Sequence, residues 1–409
     1  MTPLGRTGRD LTRASGAIGF VALAACSPIQ IGSRVLDFGG GPEPMQPSPT
    51  QVPAWTSPAA TASAETFGRG PVPVALLLPL SGDPALAQLG RGLANASRQA
   101  IAFVEQNPNI AENITITLRD TGSTPQGAMA AAQAAVAGGA RLVLGPLTGD
   151  QVSAAATVTR QAGVPMIAFA NNPAAAGSGV YLLSVLPEAE FRRSLGWAKG
   201  QGKRGVGGIF PATPLGDAQA AAFLQEAMSA GYGQPAIYRF SSPAEAQGII
   251  SQALPAIRSG SVDVLFMPDR ATAPIFASAL AGAGSSVQIV GSSDWAGDPA
   301  LAATPGLAGA IYPGIDPAGL AAIAPDYQAR FGAAPPPLAT IAYTATILAN
   351  VNTLSMARPP FSPALLTTSQ GFSGRDGMFR FRADGRAEYP LEIRRIAGGG
   401  SQVVEAARL

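Results

Sequence analysis

The chain has 409 residues, a formal net charge of +2, and only 13% charged positions. It contains no histidine and a single cysteine, which excludes Ser-His-Asp and Cys-His nucleophilic machinery, histidine general bases and zinc sites of the usual kind. Its cations, including the two lysines Lys199 and Lys203, form no basic run that would neutralise nucleic-acid phosphates.

The N-terminal stretch reads as an export signal. Arg6, Arg9 and Arg13 precede an apolar segment, Ala14 to Ala25, that falls short of the roughly 20 residues a membrane-spanning helix needs. Residues 1–26 are therefore expected to be a signal peptide. Leu23-Ala24-Ala25-Cys26 resembles a bacterial lipobox, which implies lipidation at Cys26, the only cysteine. Ser27 resembles the sorting signal for the outer membrane, which implies a lipid anchor there and a body facing the periplasm of a Gram-negative cell. A body without further thiols also avoids stray disulfides in that oxidising compartment.

Residues 27–70 are rich in Pro, Ala, Ser, Thr and Gly and show no apolar period ("GGGPEPMQPSPTQVPAWTSPAATASAE"). They read as a disordered tether, with a reach on the order of 100 Å if extended at polyproline spacing.

From Pro71 onward, apolar strands alternate with helices. "VPVALLLPL" is a continuous apolar run, as in a strand buried on both faces. A helix follows over Pro84 to Gln106, then strand "ITITLRD", then a helix opened by Thr124-Pro125 and stopped by Gly138-Gly139. Strand "RLVLGPL", helix "GDQVSAAATVTRQAG" and strands "VPMIAFA" and "VYLLSV" continue the series. Helices over Glu188 to Lys199, Asp217 to Ala230, Glu245 to Arg258 and Ala271 to Gly284 then lead to strands "GVGGIFP", "PAIYRF", "VDVLFMP" and "SVQIVGSS". The segment "MFRFRADGRAEYPLEIRRI" has a period of two and turns at Asp384-Gly385, the pattern of a hairpin. The expected class is α/β, with two doubly wound parallel-sheet lobes around an interlobe cleft.

In open parallel sheets, ligands bind beyond the carboxyl ends of the strands, against helix N-termini. The turns there nominate Ser81, Gly82, Asp120, Thr121, Thr148, Asn171 and Asn172 from the first half and Leu215, Asp269, Ser293 and Asp294 from the second. Such small and polar residues also cap helices, which is their alternative role. Gly90-Arg91-Gly92 begins a G-x-G pattern but has Asn95 at the third glycine. Phosphate-loop, G-x-S-x-G and S-x-x-K motifs are missing, so the chain is expected not to be an enzyme, and no metal or cofactor is expected.

"VALLLPLSG", the segment from "ITLRDTGSTPQG" to "MIAFANN", and "PLGDAQAAAFLQEAMSAG" resemble the type I periplasmic binding-protein fold, whose familiar members include branched-chain amino-acid receptors. The resemblance covers roughly Pro71 to Arg408. It implies three crossovers, with lobe 1 formed by 71–186 plus 314–370 and lobe 2 by 187–313 plus 371–409.

Relative to amino-acid receptors, Leu215 stands where an aromatic residue is usual and Ser293 where an acid is usual, with Asp294 one further. Tyr343-Thr344-Ala345 replaces the usual Tyr-Asp-Ala, and it adds Tyr343 to the candidate cleft residues. Asp120, Asp269 or Asp294 could then supply the carboxylate that a buried ammonium requires.

"LLLPLSG", "GPLTGDQV", "MIAFANN" and "GFSGRDGMFRFRADG", together with the lipobox and tether, resemble the penicillin-binding-protein activator lipoproteins. This implies contact with a bifunctional penicillin-binding protein, a peptidoglycan synthase; the Arg-rich, aromatic-containing Arg375-Asp376, Phe379 and Arg380-Phe381-Arg382 are candidate contacts, and the favoured alternative is that they only build the hairpin. The alternative function is a solute-binding receptor of an ABC transporter, with an amino acid or related small ligand in the cleft.

Overall fold

A computed structural model describes residues 64–408. Cys26, the signal-like segment 1–26 and residues 27–63 of the expected tether lie outside the described residues. Among the described residues, no helix is long and apolar enough to cross a membrane.

The first lobe is built on β1 (Glu65–Phe67), β2 (Val72–Leu78), β3 (Ile114–Asp120), β4 (Leu142–Leu144), β5 (Met166–Ala168) and β6 (Val180–Leu182), in the order β1-β3-β2-β4-β5-β6. All pairs are parallel except β1 with β3. The connecting helices are α1 (Pro84–Gln106), α2 (Pro125–Ala137) and α3 (Gly149–Gln161). Their starts follow from the sequence: Asp83 accepts the Leu86 N–H and Thr124 the Gly127 N–H, each just before a proline at the first helical position. Val74 to Leu78 are buried, as a central parallel strand covered on both faces requires.

The chain then crosses into the second lobe through α4 (Pro187–Gly200). That lobe contains β7 (Val206–Pro211), α5 (Pro214–Ser229), β8 (Ala236–Phe240), α6 (Ala246–Arg258), β9 (Val264–Phe266), α7 (Ala273–Gly282), β10 (Gln288–Val290), the short α8 (Pro299–Ala302) and β11 (Ile311–Gly314). Phe191, Phe210, Phe223 and Phe266 form a buried aromatic cluster with centroids 4.9–6.1 Å apart, which joins α4 and α5 to the sheet.

The chain returns to the first lobe with α9 (Ala318–Phe331) and α10 (Ala339–Asn350). Ile323, Tyr327, Ile341 and Leu348 pack in one core with Leu76, Leu93 and Ile116. A small antiparallel sheet follows, β12 (Phe372–Gly374), β13 (Gly377–Phe381) and β14 (Ala387–Glu388). Finally β15 (Leu391–Ala397) pairs antiparallel with β11, and β16 (Gly400–Arg408) with β15. The second sheet thus runs β16-β15-β11-β10-β9-β7-β8.

Two boundaries differ from the sequence expectation. Glu65–Phe67, placed in the tether, forms the edge strand β1, paired to β3 from Glu65↔Leu118 to Phe67↔Ile116. Three residues are too few to show a period. The sequence expectation gives 371–409 to lobe 2, but β12–β14 pack on lobe 1. Phe379, Phe381, Ala387 and Tyr389 belong to its core, the Phe381 ring lies 5.3 Å from Tyr181, and Leu182 bridges to Arg386. The last crossing therefore falls between β14 and β15. The hairpin itself is as expected: Arg382 N–H donates to the Arg386 carbonyl and Gly385 takes φ +83°.

Candidate functional site

The first wall is the set of turns beyond β2, β3, β4 and β5. Asp120, at the end of β3, binds these turns together. Its Oδ1 accepts N–H bonds from Leu80 at 2.8 Å, Ser81 at 3.3 Å and Gly122 at 2.7 Å. Burial opposes ionisation of this carboxyl, but hydrogen bonds from the Ser81 hydroxyl and the three N–H groups outweigh it and hold Asp120 below the usual carboxylate range. Its anionic capacity is therefore largely spent on its own loop.

Thr121 is buried, with its hydroxyl donating to the Gly122 carbonyl. That carbonyl also accepts from Gln151 of α3, which draws α3 into the wall. Ser81 and Gly82 are exposed.

The Gly145-Pro146-Leu147-Thr148 turn delivers the start of α3. Gly145 has φ +82°, and a Cβ there would stand 2.1 Å from the Leu77 carbonyl oxygen, so the turn requires glycine. Thr148 occupies the N-cap without bonding the helix through its side chain. Among the described residues nothing bonds its half-buried hydroxyl or the N–H groups of the first turn, which are left for another acceptor. Asn172 lies against Gly149 and caps the turn after β5 by accepting the Ala174 N–H. Asn171 beside it is half-buried.

The second wall is acidic. Asp269 follows β9 and accepts from the N–H and hydroxyl of Thr272. Ser293 and Asp294 follow β10, and the Ser293 N–H donates to Glu190 Oε1 at 2.9 Å. Glu190 stands in the first turn of α4 and is 6% exposed. Burial, then the nearby Asp294 charge, push its carboxyl up to about 8, against the lowering effect of its Ser293 bonds.

Asp294 reaches solvent, yet protein surrounds it closely enough to raise its carboxyl; Arg270 opposes that rise and Asp269 adds to it. Arg270 lies 3.5 Å from Asp298. Among the described residues, no group of three His, Cys, Asp or Glu side chains is arranged to hold a metal ion.

Leu215 is 40% exposed at the start of α5, beside Gly216, where a Cβ would stand 2.0 Å from the Pro211 carbonyl oxygen. A cavity of about 370 Å³ lies between the lobes next to these residues. Pro173 and Arg386 of the first lobe line it, together with Ala218 and Ala222 of α5 and Glu188 and Arg192 of α4.

Tyr343 is not part of either wall. It is 3% exposed on α10; its hydroxyl accepts from Arg375 Nη2 at 3.0 Å, and its ring lies 6.5 Å from Phe103. Phe103 is in the last turn of α1, whose first turn faces the strand carboxyl ends, so Tyr343 sits at the opposite end of the lobe. Sequence reasoning missed Glu190. In sequence it looks like an ordinary first-turn helix acid, and only the crossing of α4 beneath the β10 turn encloses it.

Residues 71–401 match the Periplasmic binding protein family. Comparison with curated proteins returns no match. Among solved structures, the chain is similar to a putative branched-chain amino acid ABC transporter protein from Rhodospirillum rubrum, with TM-score 0.70 and 20% identity over 81% of this chain and 99% of that one. It is also similar to a leucine binding protein from Thermotoga maritima, with TM-score 0.61 and 17% identity over 82% and 98%. A third similar structure is an ABC transporter substrate-binding protein from Desulfitobacterium hafniense in complex with Leu, with TM-score 0.64 and 16% identity over 81% and 99%. At these identities the likeness to solved structures is one of fold. With the paired parallel sheets, the three crossings and the match over 71–401, the chain belongs to the periplasmic binding protein family.

Proposed function

We propose that this protein is a periplasmic receptor that holds a small polar solute between its lobes and delivers it to an ABC transporter. The observation that carries the reading is the opposite polarity of the two walls. The first offers the start of α3, whose N-cap Thr148 makes no side-chain cap bond among the described residues, a setting for a carboxylate. The second offers Asp294 near Asp269, a setting for an ammonium. A zwitterion such as an amino acid satisfies both. The solved structures named above, described as amino-acid or substrate-binding proteins, support the same reading.

Thermal unfolding of the full chain against a panel of amino acids tests it. A ligand at one hundred times its dissociation constant stabilises the folded state by about 2.7 kcal/mol. Indifference to every member of the panel would refute the amino-acid reading.

A second reading is an activator lipoprotein, anchored to the outer membrane through Cys26, that stimulates a bifunctional penicillin-binding protein by contact. The outward side of α5 favours it: Leu224 and Met228, one turn apart, are 38% and 62% exposed, apolar surface of the kind contact faces present. Crosslinking in cells with a Cys26→Ala control separates the two, since recovery of a synthase supports the activator and recovery of permease subunits the receptor.

A further inference from the structure

A second pocket, separate from the two walls, lies where the chain makes its last crossing between the lobes. It has a volume of about 320 Å³, within the range of roughly 300–1,000 Å³ usual for small-molecule sites. Its floor is Ala189 and Gly196 of α4 with Tyr389 and Leu391 of the β14–β15 connection, and Arg192 and Arg380 stand at its rim. Arg193 and Arg408 also line it, and Glu388 is the one acid among its lining residues.

We propose that this pocket is a second ligand site, for a small monoanion with an apolar body. Three observations carry the assignment. The first is volume: a Cβ at Gly196 would meet nothing within 4 Å, so the space is open down to the α4 backbone.

The second is unspent donor capacity. Arg380 uses Nε on Glu388 Oε2 at 2.6 Å, and Arg192 uses Nε and Nη2 on Glu226. Among the described residues no hydrogen bond occupies either η nitrogen of Arg380 or Nη1 of Arg192, and a guanidinium carries five N–H donors. Buried Arg193 is held by the Leu391 and Ala406 carbonyls and paired with Glu405 at 3.2 Å, so it is a fixed part of the wall and its charge is already compensated.

The third is chemistry. An apolar floor under guanidinium donors matches a ring or branched chain that ends in a carboxylate. The walls come from both lobes, since Tyr389 and Leu391 pack in the first-lobe core while α4 packs through Phe191 and Leu195 in the core of the second. An occupant therefore bridges the crossing and biases the angle between the lobes.

Benzoate is a suitable probe, with neutral benzyl alcohol as its shape match. Titrated into the full chain with 13C-labelled alanine and leucine methyls, benzoate shifts the Ala189 and Leu391 signals and benzyl alcohol does not. Gly196→Leu fills the pocket and abolishes the shifts, while Arg380→Gln, a change at an exposed rim residue, raises the dissociation constant at least ten-fold. Thr148→Val, in the first wall, leaves them unchanged.

Shifts that persist in Gly196→Leu, or equal binding of the alcohol, overturn the proposal. So does silence of both methyls at millimolar benzoate. Benzoate binding lost in Thr148→Val but retained in Gly196→Leu places the probe between the walls, which overturns the second site and leaves the receptor reading standing.

Discussion

Glu190 Oε1 accepts the Ser293 N–H at 2.9 Å, joining the first turn of the lobe-crossing helix to the turn after β10. Because burial raises the Glu190 carboxyl from 4.5 to about 8, the folded state keeps a proton that the unfolded chain releases at lower pH. Stability therefore falls as pH rises between about 4.5 and 8, by roughly 3–5 kcal/mol at most. Glu190→Gln removes that slope and is more stable than the parent at pH 8, as urea unfolding at pH 5 and pH 8 measures.

Asp376 behaves in the same sense over a lower window. It is 6% exposed, accepts the Thr340 hydroxyl at 2.9 Å, and is pushed up to about 6 by burial. Stability attributable to it declines from about pH 4 to pH 6 and is level above, a loss of up to about 3 kcal/mol. Asp376→Asn keeps an acceptor for Thr340 and gains stability at pH 7. Unfolding midpoints at pH 4 and pH 7 for the two proteins check the sign.

Asp120 has the opposite sign. Its carboxyl is held below its ordinary value, so its contribution is present above about pH 4 and is lost as pH falls through its folded-state value. Asp120→Ala leaves the N–H groups of Leu80, Ser81 and Gly122 without their acceptor and costs about 2–4 kcal/mol at pH 7. The same change at pH 3 costs less. Denaturant titrations at the two pH values read the difference.

The aromatic cluster of the second lobe sets a size of effect free of charge. Phe223 is fully buried against Phe191, Phe210 and Phe266. Phe223→Ala costs about 3–5 kcal/mol, whereas Met228→Ala, one turn further along α5 at 62% exposure, changes stability by less than about 0.5 kcal/mol. Paired unfolding curves test the contrast.

Much of the architecture was legible because its signals are local. The apolar run of β2, the Thr-Pro start of α2 and the Asp384-Gly385 turn each fix backbone geometry over a few residues. What was not legible depends on partners far along the chain. The alternation in β13 places Phe379 and Phe381 on one face, and their burial in the first-lobe core, with Phe381 against Tyr181, removes them as candidate partner contacts. Its position in the family pattern points Tyr343 to the cleft, but it is 3% exposed in the first-lobe core with its hydroxyl bonded to Arg375, a packing role. Glu190 became part of the site only through the turn that carries Ser293, more than a hundred residues later.

The account rests on a solute held between an uncapped helix start and an acidic turn. Titration calorimetry of the full chain with the twenty amino acids, repeated for Thr148→Val and Asp294→Asn, tests it most directly. The account predicts saturable one-site binding of at least one amino acid, weakened at least ten-fold by each change, as loss of one hydrogen bond to a charged group at about 1.5–3 kcal/mol requires. Heats no larger than dilution for all twenty, or binding that both variants leave untouched, would contradict it.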